Sequence, residues 1–219
     1  MYIYLKIRKI LRPVRIWLHN ISSSLNYSVI RFLNPPQIPE NADGKILIHL
    51  GCGEQDDPRY INVDGIGFPH VDFISRVEKL PMFPNEYADL IYACHVLEHI
   101  SYQKIPSVLR EWQRVLKKGG VLRLSVPDFD KIITMYEAEN RSVQRTLPPL
   151  MGTHESGEFD FHRAIFNKEY LSDLLKEAGF LEAREWSPET APYYSFNDWA
   201  GPRKIHGKYA ISLNIEGIK

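Results

Sequence analysis

The sequence predicts an α/β protein built on an open sheet. Two observations carry this. An apolar run, Leu47-Ile48-His49-Leu50, ends in the turn Gly51-Cys52-Gly53. A second run, Tyr60-Ile61-Asn62-Val63, ends in Asp64, followed by Gly65. Open α/β sheets build ligand crevices at the carboxyl ends of neighbouring strands. Glycines let backbone approach a ligand closely, and an acid ending the next strand can accept both hydroxyls of a ribose. The pair therefore points to a nucleoside.

The phosphate cradle of a dinucleotide site is missing. Such a site needs a third glycine leading into a helix, and its acid lies about 20 residues on. Here the third glycine position is Asp56, with Asp57 and Pro58 behind it. Carboxylates in that place would repel a pyrophosphate. A nucleoside without phosphates is expected, and S-adenosylmethionine fits, with S-adenosylhomocysteine as product.

Taken in order, the chain opens with a basic leader. Residues 1–39 hold Lys6, Arg8, Lys9, Arg12, Arg15 and Arg31 and no acid, on a chain of formal net charge +0. Ile3, Ile7, Ile10, Val14, Trp17, Leu18 and Ile21 recur at helical spacing. Pro13 should kink that helix, and charges interrupt it too often for a membrane span. Three readings of residues 1–30 are open. They pack on their own domain or a second subunit, as a homodimer contact. They lie on the anionic inner face of a membrane as a peripheral element. Or they stay disordered. Residues 34–39, Asn-Pro-Pro-Gln-Ile-Pro, read as a stiff linker. The division expected is a leader over 1–40 and one domain over 41–219.

Strands are expected over 45–50, 60–63, 72–75, 88–93, 121–126, 182–186 and 209–216. The last alternates Ala210, Ser212 and Asn214 against Ile211, Leu213 and Ile215, as a strand near an edge does. A helix is expected over 102–117, stopped by Gly119-Gly120, and another over 168–178, stopped by Gly179. Only residues 54–59 join the first two strands, whereas a parallel crossover usually needs a dozen or more. The first crossover helix should be a single turn or irregular. Cys52 and Cys94 are the only cysteines and are expected as reduced, small core side chains in a cytoplasmic protein.

Six segments, in register, resemble one family. They are residues 47–53, residues 61–64, Glu78-Lys79-Leu80-Pro81-Met82-Phe83, residues 88–92, His95-Val96-Leu97-Glu98-His99 and residues 114–122. Residues 45–126 resemble the class I S-adenosylmethionine-dependent methyltransferases of the type 11 kind. The resemblance implies a Rossmann-like seven-stranded mixed sheet of order 3-2-1-4-5-7-6, strand 7 antiparallel, with helices on both faces. It also implies that Gly51, Cys52, Gly53, Asp64, Gly65, Val77, Glu78, Cys94 and His95 hold the cofactor. Two positions depart from the family's pattern. The acid before Gly-x-Gly is His49, and the Asp near the adenine is Arg76. A guanidinium cannot accept the adenine amino proton, so Val77 and Glu78 are expected to hold the base.

His95 and His99, four apart, would share one face of a helix at metal range. A third ligand would have to come from elsewhere, and no metal is expected. His99 is expected as a structural core histidine.

Residues 127–167 read as an insertion over the carboxyl edge, a lid for the acceptor. A helix is expected over 131–140. The stretch from Gly152 to Arg163 then packs His154, Asp160, His162 and Arg163 among aromatics. Methyl transfer to a hydroxyl is an in-line displacement that needs alignment and a base. His154 or His162 is the expected base, Asp160 its orienting partner, and Asp128 points to the same place. Arg163 would hold an anionic group. Nothing basic on the domain argues for nucleic acid. Small methyltransferases with a similar Phe-Asp-Phe-His lid accompany surface-polysaccharide synthesis. That resemblance implies O-methylation of a nucleotide- or lipid-linked saccharide or other glycan precursor. A membrane lipid or quinone acceptor, and a non-catalytic cofactor-binding partner subunit, are the alternatives.

Overall fold

The computed structural model describes residues 35–153, 160–201 and 203–219. Residues 1–34 of the expected 1–40 leader, with the membrane and dimer readings of residues 1–30, lie outside the described residues, as does His154. No helix among the described residues is long and apolar enough to cross a membrane.

Seven strands form one sheet. They are β1 (Leu47–Leu50), β2 (Tyr60–Asp64), β3 (Phe73–Ile74), β4 (Ala88–Cys94), β5 (Leu116–Pro127), β6 (Glu182–Glu185) and β7 (Ser212–Ile218). Their order is β3-β2-β1-β4-β5-β7-β6. The first five pair in parallel, and β7 runs antiparallel to both β5 and β6. Among the described residues, four α-helices follow the chain: α1 (Ile105–Val115), α2 (Phe129–Ala138), α3 (Val143–Met151) and α4 (Lys168–Glu177). The expected sheet is present, with its seventh strand antiparallel. No helix joins β1 to β2, as the short connector requires.

Strand alternation sends side chains to two faces. Ile48, Leu50, Ile61, Val63, Ile91, Leu122 and Leu124 face α1 and α4, meeting Leu109, Trp112, Leu171 and Leu175. On the other face Leu47, Tyr60, Leu90 and Tyr92 meet Trp186, Phe196 and Ala200. Among the described residues, the irregular segment after β6 covers that second face.

Several boundaries move for physical reasons. Helix α1 ends at Val115, and β5 runs through Gly119 and Gly120 instead of starting after them. Gly119 sits at φ +75 and donates to the carbonyl of Lys219, and a β4–β5 register shift between Ala88 and Leu90 absorbs the turn. Strand β7 is the last but one in the sheet, between β5 and the edge strand β6. Its polar positions have partners, and Ser212 and Glu216 are buried. Ser212 Oγ donates to Trp199 O, Asn214 Nδ2 donates to Ala200 O, and Glu216 pairs with Arg123 and Arg184. Helix α2 starts at Phe129 because Asp128 caps it through the Asp130 amide. Helix α3 was not expected: Pro148 and Pro149 lie inside it.

His49 falls on the second face, not in the crevice. Its ring centroid lies 4.6 Å from Phe196, 5.1 Å from Tyr92 and 5.9 Å from Tyr60. Its Nδ1 has no hydrogen-bond partner. Burial pushes its pKa down to about 3, the nearby Asp57 opposing. An unfolded chain would titrate this histidine near 6.5, so it takes a proton that the folded chain refuses. Stability is therefore expected to fall as pH drops from about 6.5 toward 3, by at most about 1.4 kcal/mol per pH unit from this group. His49→Phe should flatten that slope and leave neutral-pH stability intact. Urea denaturation of both proteins across that pH range checks it; identical slopes would refute it.

Candidate active site

The carboxyl edge of β1, β2 and β4 surrounds a cavity of about 300 Å³, at the lower end of small-molecule sites. Gly51, Gly53, Asp64, Gly65, Val77, Glu78 and His95 all line it. Gly51 stands at φ +64, and a Cβ there would lie 2.4 Å from Val96 Cγ2. Only glycine fits. Gly53, at φ +53, would aim a Cβ into open space.

Asp64 ties the two turns of this crevice together. Its Oδ2 accepts from the Gly53 amide at 2.8 Å, and its Oδ1 accepts from the Ile66 amide at 2.7 Å. Burial raises its pKa while those backbone bonds pull the other way. Each oxygen keeps a second lone pair for a hydroxyl. Val77 is fixed from behind, its carbonyl accepting from Trp112 Nε1 at 2.8 Å. Arg76 Nε lies 3.2 Å from Glu78 Oε1, so the guanidinium engages the acid that was expected beside the base.

Other expected residues fall elsewhere. Cys52 and Cys94 are free thiols and are not among the residues lining this cavity. The Cys52 side chain is buried, its sulfur 3.9 Å from His70 Nε2, and Cys94 packs on the aromatic face. Asp57, read from sequence as facing a pyrophosphate, is buried in a pair with Arg59 and a hydrogen bond from Ser195. The missing phosphate site thus rests on the absent third glycine, not on Asp57.

A second cavity of about 190 Å³ adjoins the first and shares His95, His99 and Asp160 with it. Thr153, His162 and Trp199 complete its polar and aromatic lining. Asp160 accepts from the Thr153 hydroxyl. Gly152, at φ +80, permits a close crossing, since a Cβ there would lie 1.8 Å from the Asp160 carbonyl oxygen. Arg163 lines the first cavity rather than the second. Asp128 lines neither and serves as the cap of α2.

The connection between the cavities is built at the end of β4. His95 takes the left-handed conformation, φ +53, and turns the chain into a 3-10 turn, Leu97–His99. His95 and His99 therefore do not share an α-helical face. His95 Nε2 lies 2.9 Å from Ser212 Oγ, and its Nδ1 lies 3.0 Å from Glu98 Oε1. Glu98 is buried. Its carbonyl accepts the amides of Arg163 and Ala164 at 2.7 and 3.2 Å, and His99 Nδ1 lies 3.3 Å from the Phe161 carbonyl. These contacts fasten the 161–164 segment onto the turn. They bring His162 against His99, ring centroids 5.0 Å apart. Burial would raise the Glu98 pKa, but His95, His99 and His162 together hold it below the usual range. His99, expected in the core, lines both cavities. Glu98 and Trp199 carried no functional reading in the sequence. The only signal for Glu98 was its place between two histidines.

The first cavity fits a nucleoside without phosphates: a carboxylate for hydroxyls, an apolar wall of Ile66, Val77 and Ile100, and a backbone turn that tolerates close approach. Residues 61–124 match the protein-family model described as "Methyltransferase domain". The sequence matches no curated protein. Among solved structures, the chain is similar to the 1,6-didemethyltoxoflavin-N1-methyltransferase of Burkholderia thailandensis, which holds 1,6-didemethyltoxoflavin and S-adenosylhomocysteine. That likeness has a TM-score of 0.51 and 15% identity over 94% of this chain and 88% of that one. It is also similar to a chain of the Haloferax volcanii complex between the Trm112 methyltransferase activator and a methyltransferase, with a TM-score of 0.50 and 13% identity over 91% of both chains. At these identities the likeness is one of fold. The matched segment runs from β2 into β5 and contains Asp64, Val77, Glu78 and His95. The chain thus has the seven-stranded fold of these structures, and its segment from β2 into β5, which borders the first cavity, matches a methyltransferase-domain model.

Proposed function

We propose that the protein transfers the methyl group of S-adenosylmethionine to an oxygen of a small polar acceptor, a saccharide or phosphorylated precursor. One observation carries this reading. The two cavities meet over His95, His99 and Asp160, so a donor in the first and an acceptor in the second face each other. The cofactor, bound in the first cavity, supplies a methyl carbon on a sulfonium. Gly51, Gly53 and Asp64 hold its amino-acid and ribose parts, and Val77 and Glu78 flank the base.

The acceptor oxygen must lose a proton as its bond to carbon forms. His162, on the lid over the second cavity, takes it at a ring nitrogen. Glu98, behind it, stabilises the resulting imidazolium. The polar lining of His95, His99, Thr153, Asp160 and His162 suits an acceptor rich in hydroxyls. The lining also includes Pro127, Pro148, Pro149, Ile205 and Ile211, and at about 190 Å³ the chamber is small for a lipid or quinone. Arg163, at the border of the first cavity, supports a negatively charged acceptor.

Four measurements test the reading. Calorimetry with S-adenosylmethionine should show binding, and Asp64→Ala should weaken it at least tenfold, about 1.4 kcal/mol or more. Unchanged affinity would take the ribose role from Asp64. A screen of nucleotide sugars with methyl-labelled cofactor should yield a methylated product. With that acceptor, His162→Ala should lower kcat about 100- to 1000-fold while cofactor affinity holds; full turnover would remove it as the base. Gly152→Ala should force the Asp160 backbone away and reduce turnover while leaving cofactor binding near its original strength. Equal loss of both would show that the two cavities are not separable.

A further inference from the structure

We propose that Glu98, His99 and His162 bind one divalent transition-metal ion of the zinc class beside the second cavity. Each of the three offers one ligand atom, and these atoms lie within 4.8 Å of one another. Metal–nitrogen and metal–oxygen bonds of about 2 Å span ligand atoms up to about 4 Å apart. A small closure completes the site.

The second observation is independent of that spacing. Glu98 is 1% exposed, and neither carboxylate oxygen receives a hydrogen bond of good geometry. The contact from His95 Nδ1 at 3.0 Å is an imidazole contact and not one with a Lys or Arg. A buried carboxylate so poorly solvated is costly unless a cation meets it. Two imidazoles on one side of it are the donors a transition metal prefers, and a carboxylate completes a two-nitrogen, one-oxygen set.

The surroundings are arranged as they are around metal ligands. A histidine that binds metal usually donates its other ring N–H to a carbonyl or carboxylate. A proton on His99 Nδ1, donated to the Phe161 carbonyl, leaves the lone pair on Nε2. His162 is set by its own amide, which donates to the Met151 carbonyl, and by the next two amides on the Glu98 carbonyl. Three protein ligands leave one coordination position open, the arrangement of catalytic rather than structural zinc. His99 and His162 both line the second cavity, so the open position faces the acceptor.

What the ion does there rests on the methyl-transfer reading. A coordinated hydroxyl gives up its proton more readily. In the ion-free chain His162 is the base; with the ion bound it is a ligand, and the acceptor's proton passes to solvent. The oxygen–carbon bond forms, the carbon–sulfur bond breaks, and its electron pair stays on sulfur.

The test uses the untagged chain stripped with a chelator. Cobalt(II) is titrated in while the visible ligand-field band is followed, and zinc(II) is then added in competition. One ion per chain is expected, with zinc displacing cobalt. Glu98→Gln and His162→Ala should each weaken the ion at least tenfold, and His206→Ala, an exposed histidine outside the cluster, should leave it unchanged. Wild-type affinity in either cluster variant, or equal loss in His206→Ala, would overturn the site. S-adenosylhomocysteine calorimetry on the same samples confirms that the variants are folded. Should a variant not fold, the wild-type chain decides alone: no cobalt band and no retained zinc refute the proposal. Loss of cofactor binding in the wild type would reject methyl transfer and leave the ion result standing.

Discussion

The acceptor side of this protein depends on the burial of one carboxylate. Glu98 lies at the carboxyl end of β4 with almost no access to water. Left alone, such a group would protonate or drag the chain open. Three histidines gather on it instead, from the strand end, from the 3-10 turn and from the 161–164 segment. The same residue's carbonyl receives the amides that return that segment to the sheet. One residue thus fixes both the chemistry and the backbone path around the second cavity. His95 supplies the bend that makes this possible. A left-handed histidine costs on the order of 1–3 kcal/mol, and it is held by its amide on Ser125, its ring on Ser212 and its contact with Glu98.

The donor side has a parallel device. Asp64 accepts an amide from each of two turns, after β1 and after β2. Strand order then brings the two devices together. Because β4 pairs with β1 on one side and β5 on the other, its end looks into both cavities. The missing crossover helix has a visible replacement. Residues 54–59 are anchored through Asp57 and Arg59 to Tyr193 and Ser195, so a segment late in the chain stabilises a turn near its start.

Legibility followed burial and locality. Strands β1, β2, β4 and the latter part of β5 are apolar runs with one solution, and they could be read directly. The partners of the polar residues on β7 could not. Its polar residues look like a solvent face until the carbonyls of Trp199 and Ala200 and the guanidinium groups of Arg123 and Arg184 are seen to meet them. Helix α3 hid behind two prolines. They withdraw donors near the end of a short helix, which stops at Met151 and closes with the Gly152 amide on the Pro148 carbonyl. The glycine turn and Asp64 were legible because their spacing is local. The Glu98–His99–His162 group was not, because no local pattern announces a partner more than sixty residues away.

The two departures from the family's pattern take on a different weight in three dimensions. Read along the chain, His49 and Arg76 look like damage to a cofactor site, and they were the only ground for a non-catalytic reading. Strand alternation turns the His49 side chain to the face opposite the helices, among Tyr60, Tyr92 and Phe196. A carboxylate there would be buried among aromatic rings without a cation, at a cost an uncharged imidazole avoids. The residue answers to the packing of the second face, not to the ligand. Arg76 is engaged with Glu78 at the rim. The cofactor crevice therefore keeps its essential groups, a glycine turn and one doubly anchored carboxylate. His49 marks the face that, among the described residues, an irregular segment covers in place of a helix, and Arg76 belongs to the rim of the first cavity.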